Sequence, residues 1–176
     1  MKIRILGLLA ATMVAFAGPT FAAKTTGEHV DDGNITTQVK AGLATEKGVP
    51  STDINVETYK GVVLLSGFVK EQAAKDAAGR VAGGVKGVTK VHNAITVHAA
   101  TSMGSKLDDT VLVGKVKAAL VDEKQVEAGQ INCEARDSIV QLAGFVTNQA
   151  MKDRALAVAK GVSGVKGVQD ALYVKP

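Results

Sequence analysis

The sequence predicts an α+β protein: two tandem αββαβ domains, each a small mixed three-stranded sheet covered by two helices. Three observations carry this prediction. First, the chain matches itself without a gap at a shift of 77 residues, 32–97 against 109–174, and roughly half the positions from Ile54 to Val97 are identical to their partners. Second, apolar residues that persist in both copies fall at helical spacing in two segments and at alternating spacing in three. Third, Gly, Asp and Ser punctuate the segments where turns are needed. A period this long marks one duplicated domain, because solenoid repeats run from about 20 to 50 residues.

The elements follow in chain order. Ile35, Val39 and Leu43, matched by Leu112, Val116 and Leu120, form one stripe of an amphipathic helix. Asp32 and Asp109 stand just before it and suit N-caps, where a carboxylate meets free backbone N–H groups. Ile54-Asn-Val-Glu and Ile131-Asn-Cys-Glu alternate as half-buried strands, and Lys60-Gly61 and Asp137-Ser138 mark tight turns after them. Second strands run over 62–69 and 139–146. There Val63 and Leu65 stay apolar as Val140 and Leu142, whereas Leu64 becomes Gln141, which assigns the Val63 face to the core. Gly67 and Gly144, inside these strands, predict a bulge or a close backbone approach. Second helices over 71–85 and 148–162 carry the stripes Ala78, Val81, Ala82, Val85 and Ala155, Val158, Ala159, Val162. Gly87 and Gly164 suit left-handed C-caps, and last strands over 88–97 and 165–174 close each unit. The expected boundaries are a first domain at 31–97, a linker at 98–107 rich in Ala, Ser, Thr and Gly, and a second domain at 108–176.

Lys2 and Arg4, an apolar run from Ile5 to Ala17, and small residues at Thr20, Ala22 and Ala23 read as a secretory signal peptide over 1–22, followed by a flexible tail at 23–30. The run is too short to span a hydrocarbon core of roughly 30 Å. Cleavage after Ala22 and export to the periplasm are therefore expected. Removing Lys2 and Arg4 from 21 basic residues leaves 19 against 17 acidic, a net charge of +2. That mild balance, with no Trp and only two Tyr, argues against nucleic acid as a partner.

The residues carry no catalytic pattern, so no enzyme activity, cofactor or small-molecule substrate is expected. His29, His92 and His98 lack metal-ligand spacing and none recurs in the second copy, so no metal site is expected. Ser66 lacks the flanks of a hydrolase elbow. The acidic pairs Asp31-Asp32 and Asp108-Asp109 adjoin helix starts. The glycine-rich stretches 83–87 and 161–167 follow a helix instead of preceding one, which points no helix N-terminus at a phosphate. Cys133 alternates as a core residue with no His within ten positions, so a packing role is expected.

Val63-Leu64-Leu65-Ser66-Gly67-Phe68-Val69 with Gly87-Val88-Thr89-Lys90-Val91 resembles the BON domain, as does Val140-Gln141-Leu142-Ala143-Gly144-Phe145-Val146 with Gly164-Val165-Lys166-Gly167-Val168. The resemblance covers nearly the whole chain beyond the leader. It implies an αββαβ fold, a periplasmic home, a role in osmotic stress, and affinity for phospholipid or unfolded envelope proteins. Tandem relatives with an N-terminal lipid differ from this chain, which has no cysteine near the cleavage region.

Two binding partners follow as expectations. The first is the anionic phospholipid surface. Asn34, Thr36 and Gln38 of the first copy become Val111, Val113 and Lys115, while Lys40 is kept as Lys117. Apolar residues beside lysines on a helix flank suit an interfacial surface. In the second helix of copy two, Leu156 replaces Gly79 between Lys152 and Lys160, extending the candidate surface. The competing explanation is that these apolar residues pack against the other domain. The alternative function is a holdase-like chaperone or protein-interaction module with unfolded envelope proteins as partners. A sheet edge left unpaired keeps the oligomeric state open.

Overall fold

The computed structural model describes residues 31–98 and 103–175. The expected leader and tail, His29, and linker residues 99–102 lie outside the described residues. The first half runs α1 (Asp32–Thr45), β1 (Ile54–Tyr59), β2 (Val62–Val69), α2 (Gln72–Gly83), β3 (Lys90–Asn93) and β4 (Thr96–Val97). The second runs α3 (Met103–Asp122), β5 (Asn132–Arg136), β6 (Ile139–Val146), α4 (Gln149–Gly161) and β7 (Gly167–Val174). In each half an antiparallel hairpin, β1–β2 or β5–β6, places its second strand at the sheet centre, and the last strand pairs parallel to it. The α+β class and the αββαβ order stand in both halves.

Where the sequence predicts one last strand, the first half has two pieces. Asn93 turns inward and donates from Nδ2 to the Lys75 carbonyl of α2 at 2.7 Å, which breaks the strand before Ala94 and Ile95. Both pieces still run parallel to β2. α3 begins at Met103, inside the stretch expected to be linker. The second helices end at Gly83 and Gly161, short of the expected Val85 and Val162. Gly87 and Gly164 are left-handed as expected, at φ 94° and 101°. They serve turns beyond the helix, in which Val88 N–H donates to Val85 and Val165 N–H to Val162.

The two aspartates read as N-caps have another role. Asp31 caps α1, accepting from Gly33 N–H. Asp32 Oδ2 and Oδ1 accept from the N–H groups of Lys60 and Gly61, at 2.6 and 2.8 Å. Asp109, buried inside α3, does the same for Asp137 and Ser138 at 2.9 and 2.8 Å. Both central residues of each hairpin turn have positive φ. In the second turn neither is glycine, so the carboxylate holds a backbone that L-residues disfavour. Gly67 and Gly144 mark a close approach: Gly67 closes the β1–β2 register opposite Ile54, and Gly144, one residue past the end of the β5–β6 register, pairs with Leu172 of β7. A Cβ at either would lie 2.1 Å from a carbonyl oxygen of the 3-10 turn opposite, Asp53 or Gln130.

Each half buries its own core between helices and sheet. Ile35, Val39, Leu43, Val63, Leu65 and Ala78 lie in the first, and Leu112, Val116, Leu120, Val140, Leu142 and Ala155 in the second. The expected helix stripes hold, although Val81, Val85, Val158 and Val162 are only half-buried at the core edge. The far face of each sheet was expected to face out and does not. Leu64 and Gln141 are 1% and 2% exposed, because the two sheets pack back to back around Leu64, Ala143, Phe145 and Ala171. The layers are therefore helices, sheet, sheet, helices.

Polar groups inside this joint are paired. Gln141 Oε1 accepts from Gly67 N–H at 2.6 Å, and its Nε2 donates to the Ala94 carbonyl at 2.8 Å and Thr96 Oγ1 at 3.0 Å. Asn55 donates to Glu134. His98 Nε2 lies 2.6 Å from Asp137 Oδ2, and the His92 ring stacks on Tyr173 at 3.8 Å between centroids. The contacts have approximate two-fold symmetry. Tyr59 packs on Phe145 with centroids 5.7 Å apart, while Arg136, at the repeat position of Tyr59, lies 5.4 Å from the ring of Phe68, at the repeat position of Phe145.

Candidate functional site

α3 presents two different flanks. Leu112, Val116 and Leu120 point into the core. On the opposite side Leu107, Val111 and Val121 stand 74%, 59% and 70% exposed, three of the five large apolar side chains exposed among the described residues. Spacings of four and ten residues put them on one outward face, with Gly114 and Ala118 between them. Lys115 borders this face on one side and Lys106 and Lys117 on the other, and all three are exposed. No helix of the described residues is long and apolar enough to cross a membrane.

The residues singled out from the sequence divide. Val111 points to solvent, so packing against the other domain does not explain it. Val113 is half-buried and packs on the core of its own domain. It also lines a cleft of about 680 Å³ between the halves, with Thr52, Asp53, Phe68 and Lys70 on the far wall. Lys115 and Lys117 sit where the sequence placed them, on α3 facing out. The α4 residues are otherwise engaged. Lys152 Nζ is 2.8 Å from Asp170 Oδ2 and donates to the Leu172 carbonyl at 2.7 Å, tying α4 to β7. Leu156 is half-buried on its own core. Lys160 remains exposed, in the last turn of α4.

A local reason accounts for Leu156. In the first half, a Cβ on Gly79 would lie 2.9 Å from Asn93 Nδ2, so glycine there makes room for the Asn93 bond to α2. In the second half Asp170 replaces Asn93 and cannot donate; Lys152 supplies the tie, and Leu156 fills the space. Lys152 and Leu156 are thus parts of the α4–β7 packing.

Titratable groups in the joint are shifted by burial. Desolvation raises the Glu134 carboxyl, opposed by the hydrogen bond from Asn55, and also raises Glu57. Desolvation and the nearby Lys90 lower His92. Burial pushes the Cys133 thiol up to about 11, so it stays protonated and packs as a core residue. Among the described residues no group of three or more His, Cys, Asp and Glu could hold a metal ion.

Residues 31–99 and 108–176 each match the family model of the BON domain. The chain belongs to the BON-domain family. It is 42% identical over 151 residues to "Osmotically-inducible protein Y" of Escherichia coli (strain K12), covering 85% of this chain and 75% of that protein. It is 32% identical over 146 residues to "Outer membrane lipoprotein DolP" of Haemophilus influenzae, and 29% identical over 146 residues to a "21 kDa hemolysin" of Actinobacillus pleuropneumoniae. Each match covers 82% of this chain and 75% of the relative.

The two BON domains differ on the outward side of the first helix. Val111 and Val121 of the second stand where the first has Asn34 and Ala44, both exposed. Sequence reasoning missed Leu107 and Val121. Leu107 falls in the stretch whose composition reads as linker, and Val121 stands next to the core residue Leu120 where the first copy has Ala44. The usable signal was the set 107, 111, 118 and 121, which shares one helical face once the helix is extended backward.

Proposed function

We propose that this protein is a non-enzymatic component of the bacterial envelope that binds anionic phospholipid through the outer face of α3. The exposed stripe of Leu107, Val111 and Val121, flanked by Lys106, Lys115 and Lys117, carries the reading. Seating each apolar side chain among acyl chains contributes about 1.5 kcal/mol. Each lysine near an anionic surface adds about 1 kcal/mol, a contribution that salt weakens. The leader pattern supports export, and the names of two relatives, osmotically inducible in one case and an outer-membrane lipoprotein in the other, support an envelope role in osmotic stress. The stripe faces away from the core residues Leu112, Val116 and Leu120, so it meets a surface without rearrangement of that core.

Co-sedimentation of residues 23–176 with vesicles of rising phosphatidylglycerol content, across a salt series, tests the proposal. Binding should grow with anionic lipid and fall with salt. Val111→Asn combined with Val121→Asn should cut it at least tenfold without lowering the melting temperature, since both side chains are already in water. Binding absent at every composition, or unchanged in the double variant, would sink the reading.

A further inference from the structure

The cleft between the halves has an unusual floor. Four consecutive residues of β5, Cys133, Glu134, Ala135 and Arg136, line it together with Lys106, Asp109, Thr110 and Val113 of α3. Successive residues of a strand point to opposite faces. A cleft that touches all four therefore runs over the strand's edge. β5 is an edge strand, paired only with β6. Its two-residue turn makes Arg136–Ile139 the first hydrogen-bonded pair, and bonded pairs then alternate. Cys133 and Ala135 thus direct their N–H and C=O groups away from β6, into the cleft. Among the described residues no other backbone group bonds to them.

The charges around this edge are unbalanced in a usable way. Asp109 is occupied by the hairpin N–H groups, Asp53 lies 3.6 Å from Arg136, and Glu134 accepts from Asn55. Lys70 and Lys106, on opposite walls, are exposed, and among the described residues neither has an acidic partner. We propose that an extended, acidic segment of a partner polypeptide docks in this cleft as a fourth strand on β5. Its backbone pairs with Cys133 and Ala135, and its carboxylates meet Lys70 and Lys106. Only an extended peptide supplies alternating N–H donors and C=O acceptors at strand spacing, and a lipid headgroup has none to offer. Side chains on one side of the added strand meet Val113 and Thr110; those on the other meet the wall formed by the first domain. The inference shares Lys106 with the membrane reading, but its backbone pairing with β5 and its use of Lys70 do not depend on the apolar stripe of α3.

The probe is a labelled decapeptide built from alternating pairs of valine and glutamate (Val-Val-Glu-Glu), which puts carboxylates on both faces of the strand, tested on residues 23–176 by fluorescence anisotropy and by amide hydrogen exchange. Binding is expected, with exchange at Cys133 and Ala135 slowed at least tenfold. Ala135→Pro removes only an outward N–H, which edge strands tolerate, and should weaken binding at least tenfold. Alternate N-methylation of the peptide, placed to block the bonds to β5, should do the same on the unaltered protein, so the test stands even if the proline variant misfolds. Lys70→Glu with Lys106→Glu should weaken binding severalfold, most at low salt. No binding, equal binding of the N-methylated peptide, or protection of these amides by anionic vesicles in place of the peptide would overturn the proposal.

Discussion

Asp109 shows how one side chain can hold a turn that its own residues resist. Its two bonds to Asp137 and Ser138 N–H are charge-assisted. Asp109→Ala should cost about 2 kcal/mol in urea unfolding, and Asp32→Ala about half that, because Gly61 already accepts positive φ. Ser138→Gly should return about 1 kcal/mol to the Asp109→Ala variant. The sequence displayed both aspartates at helix starts, and an N-cap was the local explanation; a partner 28 residues away is not local. Glu134 leads to a pH prediction. Burial holds its carboxyl above the ordinary glutamate range, so the folded state binds the proton more readily than the unfolded chain. Stability from this group is fullest at or below the unfolded-state value and is lost as pH rises through the folded one. Glu134→Gln keeps an acceptor for Asn55 and has no charge to desolvate. Its unfolding midpoint should therefore gain on the wild type as pH rises above the ordinary glutamate range and level off once the folded-state carboxyl is ionised; a gap that stays constant or narrows would contradict this.

At the scale of elements, periodicity located every helix and the centre of every sheet. Strand β2 came out with its correct limits, because Val62 to Val69 is bounded by a turn glycine and a lysine. The missed features were those that depend on a neighbouring element. Asn93 breaks the last strand only because α2 offers the Lys75 carbonyl and Gly79 leaves a path to it. α3 starts early because residues from Met103 onward continue the helix into a stretch that composition marks as linker. The lysines and leucine assigned to a surface on α4 show the same limit. Comparing the copies revealed that positions 152 and 156 matter together, but not that they face β7. On α3, by contrast, the comparison found Val111, Lys115 and Lys117 on an exposed helix, since a face left in water is constrained by its own residues alone.

For the whole molecule, the decisive feature is the joint between the sheets. Substitution of Leu64 by Gln141 at the repeat position looked like a mark of solvent exposure. It is instead the polar centre of a buried contact, which no single-domain argument could anticipate. Gln141→Leu would copy the first half into the second and leave Gly67 N–H and Ala94 C=O unpaired in the joint. It should cost about 3 kcal/mol of coupling. Calorimetry should then resolve two unfolding transitions in place of one cooperative event; a single transition shifted by less than a degree would show that the halves cohere without it. The approximate two-fold of this joint also bears on assembly. A half from a neighbouring chain presents the same surface as the chain's own half, so the fold itself does not distinguish self from neighbour. Only the short connection after His98 does, by keeping the resident half at an effective concentration on the order of millimolar. Dilute chains therefore close on themselves, and a compartment crowded with this protein brings exchanged pairs within reach without a single new contact.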